Sequence, residues 1–422
     1  MDSKTKTQSP PLKNREIVER TVKRLMAEVS IVDVHTHLYS PVFGDLLLWG
    51  IDELLTYHYL VAELFRAHDI STDRFWSMNR REQADLIWKT LFIDNSPVSE
   101  ATRGVVTTLQ ELGLDVKGRD LDSLRTFFRS TDAAAQIERV MELAGVSQMV
   151  MTNDPFDNDE RAVWQANPDI EPRFRPALRL DGLLNDWPGA AAALSNWGYR
   201  VSLDFSGETE AEVRRFLEDW IERMKPVYMA ASLGPDLAYP DSTIRTRLID
   251  SCILPEGREW NLPFGLMIGV KKAVNPEIKL AGDGVGKADL QAVENLVRNN
   301  PENRFLVTML SRENQHELCV LARKFSNLLI FGCWWFLNNP SIITEITRER
   351  LELLGTAFIP QHSDARILEQ VIYKWKHSRM ILGEVLAEKY GDLYDSGWGL
   401  TEAEINRDLE NLFSENFGRF IR

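Results

Sequence analysis

The chain has 422 residues, 44% of them hydrophobic and 27% charged, which is ordinary globular composition and enough to bury a large core as one domain with an insertion or as two domains. A formal net charge of -14 argues against a nucleic-acid surface, although a local cluster of arginine and metal would still accept an anionic small molecule. The three cysteines, Cys252, Cys319 and Cys333, form no CxxC pair, so neither a disulfide framework nor a cysteine zinc site is indicated.

The opening stretch, MDSKTKTQSPPLKNRE, is polar and has no apolar heart, so it does not read as a secretory signal. No run approaches eighteen apolar residues, so no membrane span is expected, and the expected compartment is the cytoplasm. Residues 1–29 read as a loose tail of about a dozen residues followed by a helix. The first β-rich run, SIVDVHTH (30–37), then gives way to a long stretch, 38–145, full of helical patterns such as IDELLTYHYLVAELFRAH and NRREQADLIWKTLF.

From there the pattern becomes regular. Short apolar runs come at VSQMVMTN (146–153), FRPALRLD (174–181), PVYMAASL (226–233), PFGLMIGV (263–270), RFLVTML (304–310), NLLIFGCWW (327–335) and TAFIPQHSD (356–364). Helical patterns at 209–225, 287–300, 312–327 and 340–355 precede the fourth, sixth, seventh and eighth runs, with Ser311 and Pro340 as helix-start residues and Gly355 as a stop. Eight strands alternating with helices predict an α/β fold, a (β/α)8 TIM-type barrel over 30–37 and 146–422, with C-terminal helices. A doubly wound open sheet is the competing architecture. Segment 38–145 is too long for one crossover, and reads as a helical insertion on the first βα loop, at the catalytic mouth.

The chemistry begins at HxH. Side chains of a strand alternate faces, so His35 and His37 point the same way, and at the C-terminal end of the first barrel strand that way is the mouth. Neutral imidazoles are ordinary metal ligands; a pair of satisfied histidines is the alternative. The last run ends QHSDAR, and a carboxylate there faces the first strand across the barrel seam. Asp364 can therefore join His35 and His37 on an ion, or cap the following helix, or both.

Together VDVHTHL, LLLWGIDELLTYHYLVAE, MTNDPFD, LVTMLSRENQHEL, IFGCWWF and IPQHSDAR resemble the uronate isomerase (glucuronate isomerase) family of the amidohydrolase superfamily, over roughly residues 15 to 418. The resemblance implies a metal-dependent barrel that interconverts D-glucuronate with D-fructuronate and D-galacturonate with D-tagaturonate. It implies metal ligands His35, His37 and Asp364, with Asp364 also the base at C2. It further implies Arg366 on the C2 and C3 hydroxyls, Tyr59 as proton shuttle at the C1 carbonyl, and His58 and Arg179 around the sugar. Each has an alternative in the residues alone: Tyr59 and His58 lie in an apolar helical stretch and could be core, and Arg179 could serve a structural ion pair. Trp334, Trp335 and Trp375 fall near or just beyond strand ends, and Trp375 is the tryptophan expected as a sugar contact.

Binuclear amidohydrolases bridge two metals with a lysine on strand four and use histidines from strands five and six. Here the corresponding runs read MAASL, LMIGV and LVTML and hold neither residue type, so one divalent metal per subunit is expected, zinc by its ligand set. A mononuclear amidohydrolase cleaving a small amide or ester is the alternative activity. The expected partner is a small hexuronate, with no nucleic acid and no membrane; self-association into a homo-oligomer stays open.

Overall fold

The computed structural model describes residues 10–422; most of the tail expected at the start falls on residues 1–9, outside the described residues. The first helix, Arg15–Glu28, starts where Asn14 Oδ1 accepts the Ile17 amide at 2.9 Å, a side-chain cap on one of the free amides of a helix start.

Seven strands form one parallel sheet in strict sequence order: β1 (Ile31–Thr36), β2 (Val146–Asn153), β3 (Phe174–Arg179), β4 (Met229–Leu233), β5 (Phe264–Ile268), β6 (Phe305–Met309) and β7 (Leu328–Ile330). Helices return the chain between most of them, including Thr209–Met224 before β4, Gln291–Asn299 before β6 and Gln315–Ala322 before β7. The eighth position joins the ends. Ile359 donates its amide to Ile330 and its carbonyl accepts from Gly332, both at 2.9 Å. On the other side Asp364 N donates to His35 O at 3.1 Å and His37 N to Ala365 O at 2.8 Å. The fold is the expected (β/α)8 barrel.

The run expected as an eighth strand, 356–364, is not a regular strand; it makes one parallel bridge, Phe331 with Ile359. The cause is local. Pro360 has no amide to give. The next amides go to side chains: His362 N donates to Gln361 Oε1, and Ser363 N to Asp33 Oδ1, both at 3.0 Å. The seventh run is likewise shorter than expected, because Cys333 N goes to Gln361 Oε1 at 2.9 Å.

Two layers of apolar side chains explain the alternation along the strands. Val34, Val150, Ala177, Ala230, Met267, Leu306, Leu329 and Ile359 fill the barrel interior, while their neighbours Ile31, Met149, Met151, Leu178, Met229, Leu266 and Val307 pack into the larger core. The inward parity carries on to Thr152, Arg179 and Ser232 at the strand ends. In β1 the register against β2 slips between Asp33 and Thr36. Val34 and His35 therefore both meet interior residues, while Asp33 accepts the indole N–H of Trp375 from the long C-terminal helix Gln370–Asp395.

Between β1 and β2 the chain forms helices Ile51–Leu55, His58–Ala67, Thr72–Ser77, Arg80–Trp88, Glu100–Glu111, Leu121–Arg129 and Ala133–Ala144. The helix expected through IDELLTYHYLVAELFRAH breaks in two at Thr56 and Tyr57. Thr56 Oγ1 bonds back to Asp52 O at 2.7 Å, and Tyr57 turns extended (φ −62°, ψ 141°) before the second helix starts.

Candidate metal centre and active-site cavity

His35 is the penultimate residue of β1, and His37 lies one residue beyond the strand's end at Thr36. Their rings meet edge to face with centroids 5.3 Å apart. His35 Nε2 lies 3.6 Å from Asp364 Oδ1, and His37 Nε2 lies 3.3 Å from the same oxygen. The three ligand atoms fall within 4.8 Å of one another. His35 Nε2 and Asp364 Oδ1 are both buried and have no hydrogen-bond partner among the described residues. Buried polar atoms without partners are costly, and a cation between two imidazoles and a carboxylate satisfies them together. The residues fit a metal ion.

Burial pushes the His35 imidazole down to about 3, against the opposing pull of Asp364. His37 is held well below its ordinary value, by burial first and the Arg366 guanidinium next. Both rings are neutral at neutral pH, the form that coordinates.

Asp364 reaches the histidines because its backbone is left-handed, with φ +50°, a conformation Asp tolerates better than most residues. Several bonds hold it there. Lys374, wholly buried, donates to Ser363 O at 2.6 Å and to Asp364 O at 3.4 Å. Ser363 Oγ accepts from Ala365 N at 3.2 Å. Burial pushes Lys374 down to about 8 although Asp364 and Asp33 pull the other way.

His37 and Asp364 stand at one side of a cavity of about 620 Å³, and His35 lies within ion-pair distance of Asp364. His37, His58, Arg179, Asp364 and Arg366 line it, so the structure brings these expected residues together. Arg179, at the end of β3, makes a two-pronged contact with Asp181, both bonds 3.0 Å. Arg366 has no carboxylate partner within ion-pair distance among the described residues. His58, first residue of its helix, is pushed down to about 3 by burial and then by Arg366, and its Nε2 is buried without a partner among the described residues.

Two expected residues sit elsewhere. Tyr59 does not border the cavity; it stands behind His58, ring centroids 4.7 Å apart, with a buried hydroxyl lacking a partner among the described residues. Trp375, expected at the sugar, is 1% exposed in the C-terminal helix and away from the cavity lining, its indole N–H donated to Asp33 Oδ2 at 2.8 Å. The tryptophans that do line the cavity are Trp334 and Trp335, the latter with φ +48°. Sequence reasoning did not find Lys374, Asp33 or Tyr228, whose hydroxyl lies 3.2 Å from His35 Nδ1, as supports of the site. Their one signal was a charge or hydroxyl at an otherwise apolar position, and such positions recur throughout any globular chain.

A closed parallel barrel with a His-His-Asp group beside a cavity lined by several charged side chains defines an enzyme of the TIM-barrel class. The chain belongs to the uronate isomerase family. A solved uronate isomerase from Bacillus halodurans C-125 is 56% identical, with a TM-score of 0.96 over 97% of this chain and 97% of that one. A uronate isomerase from Thermotoga maritima shares the fold at 15% identity and a TM-score of 0.74, covering 96% of this chain and 97% of that one. A glucuronate isomerase from Caulobacter crescentus does so at 13% identity and 0.75, covering 100% and 97%. No family model matches the chain, and no curated protein does. Among the described residues no helix is long and apolar enough to cross a membrane.

Proposed function

We propose that this isomerase interconverts D-glucuronate with D-fructuronate and D-galacturonate with D-tagaturonate by proton transfer between C2 and C1, at the cavity beside His35, His37 and Asp364. The observation that carries the reading is the convergence of those three ligand atoms within 4.8 Å, on a cavity whose lining also holds Arg179, Arg245, Lys271, Lys272 and Arg366. A hexuronate is a polyol carrying one carboxylate, so it needs both cationic groups and directional donors. One divalent ion per chain, zinc by the donor set, would supply Lewis acidity toward the substrate's carboxylate and hydroxyl oxygens when bound.

The protein's own groups account for the rest. Asp364 removes the C2 proton, and the C2–H electron pair forms the C1–C2 double bond of an enediol while O1 gains a proton. The O2 proton then leaves, C2 becomes the carbonyl, and C1 is protonated. Arg366, free of a carboxylate partner among the described residues, offers its planar fork to the C2 and C3 hydroxyls. Tyr59 serves as the proton shuttle to O1 from behind His58, whose ring borders the cavity; its buried hydroxyl, without a partner among the described residues, supports that role. His58 and Arg179 border the sugar. The absence of Lys and His from β4, β5 and β6 supports a single ion rather than a bridged pair. The substrate is a free small molecule, and we place the enzyme in the cytoplasm with self-association open.

Incubation of the purified protein with each uronate, followed by proton NMR, should show the matching ketose. In D2O some deuterium should enter C1 of the ketose or C2 of recovered aldose. Turnover of small amides or esters with no ketose formed would overturn the proposal.

A further inference from the structure

Each ligand histidine carries a second nitrogen that faces away from the ion site, and each of those nitrogens meets a hydroxyl. His35 Nδ1 lies 3.2 Å from the Tyr228 hydroxyl, and His37 Nδ1 lies 3.3 Å from Thr152 Oγ1. A hydroxyl has a single hydrogen to give. Tyr228 gives its hydrogen to Val34 O at 2.9 Å, and Thr152 gives its own to Thr36 O at 2.9 Å. A backbone carbonyl cannot donate, so toward the imidazoles both hydroxyls act as acceptors. The arrangement is the same twice over: each hydroxyl bridges the ring of one histidine and the carbonyl of the residue just before it. The two hydroxyls come from different places, the end of β2 and the residue ahead of β4.

This geometry bears on which nitrogen is protonated. A neutral imidazole has one N–H. Left to itself, each ring would gain by turning that N–H onto the Asp364 carboxylate, 3.3 to 3.6 Å away. The lone pair would then face the barrel wall and the ring could not ligate. An acceptor at Nδ1 reverses the preference. We infer that Tyr228 and Thr152 are positioning residues that hold His35 and His37 as their Nδ1–H tautomers, so that both Nε2 lone pairs face Asp364. The inference deepens the metal reading proposed above and rests on it for its functional meaning. Partners of this kind commonly contribute about 10–100-fold in metal affinity.

The test uses the full chain with labelled histidine nitrogens, stripped of metal with a chelator. Long-range proton–nitrogen NMR should show His35 and His37 protonated at Nδ1 in the wild type. Tyr228→Phe should shift His35, and only His35, toward the Nε2–H form; Thr152→Val should do the same to His37. Chelator competition should show zinc affinity falling about 10–100-fold in each variant. Thr152→Ser, which keeps the hydroxyl, should restore the tautomer and most of the affinity. Tyr228 is 1% exposed, so its loss could compromise folding; the Thr152 series then decides alone. Nε2-protonated rings in the wild type, or variants that change neither tautomer nor zinc affinity, overturn the inference. A wild type that binds no zinc but keeps Nδ1–H rings would instead sink the metal reading while leaving the tautomer assignment standing.

Discussion

The residues assigned to the site fall into two halves built by different rules. One half comes from strand ends: His35 next to last in β1, His37 just after the strand, Arg179 at the end of β3, Asp364 at the closing position. The other comes from the segment between β1 and β2, where His58 opens a helix and Tyr59 stands behind it. On the first half the strand period, the register slip in β1 and the closure of the ring together set the side-chain directions, so a short motif carries three-dimensional information. On the second half the same residue types sit where one helix breaks and another begins, and their direction depends on that break. Positions on a barrel strand report chemistry; positions on an insertion report it only once the insertion's path is known.

The sharpest way to break this comparison is to remove a strand-end ligand. His37→Ala should lose its metal and fall to background turnover, while circular dichroism and the unfolding midpoint stay close to wild type, because His37 keeps some solvent exposure and fills no deep core position. Elemental analysis of the wild type should find about one ion per chain. Two tightly held ions would contradict the single-ion reading, and a His37→Ala protein that still turned over would remove the strand-end half from the chemistry altogether.

The insertion half is tested by Tyr59→Phe. If the hydroxyl serves the C1 oxygen, kcat should fall by about 10²–10⁴-fold with a much smaller change in KM. Steady-state kinetics on D-glucuronate would read this directly. Unchanged kcat would make Tyr59 a core residue, with the cavity's chemistry confined to the strand ends.

How much of this was legible follows the same division. The barrel was readable because eight apolar runs recur at βα spacing, and seven of them are strands in sequence order. The eighth reads as a strand because composition cannot show that Pro360 lacks an amide and that Gln361 and Asp33 take the neighbouring ones. His35, His37 and Asp364 converge as expected. The register slip in β1 was invisible, although it is what lets Val34 and His35 both meet the interior while Asp33 turns to Trp375. Trp375 reads as a strand-end aromatic since TAFIPQHSD ends only eleven residues earlier by sequence number; the helix that begins at Gln370 carries it under β1 instead. The supports Tyr228, Thr152 and Lys374 stayed hidden for a general reason: a hydrogen bond between separate elements of the fold leaves no local pattern.

The smallest expected effect lies where the two halves are joined. Glu369, fully buried just after the closing position, accepts from Gly50 N at 3.0 Å and from Gln136 Nε2 at 2.9 Å, at the two ends of the insertion. Burial pushes its carboxyl up to about 7 from an ordinary 4.5, outweighing the hydrogen bonds from Gly50 and Gln136. Below about pH 4.5 the group is protonated in folded and unfolded chains alike, and pH has no hold on it. Between about 4.5 and 7 the unfolded chain releases the proton and the folded chain keeps it, so this group's contribution to stability falls as pH rises, and it levels off above 7. Other carboxylates titrate in the same range, so the effect is read as a difference between wild type and Glu369→Gln, whose amide cannot ionise. Urea unfolding of chelator-treated protein, from pH 4.5 to 7.5, should show wild type losing about 1–3 kcal/mol relative to the variant. A constant difference across that range would mean that Glu369 does not hold its proton in the fold, and that the junction between barrel and insertion tolerates a buried carboxylate on the strength of two hydrogen bonds.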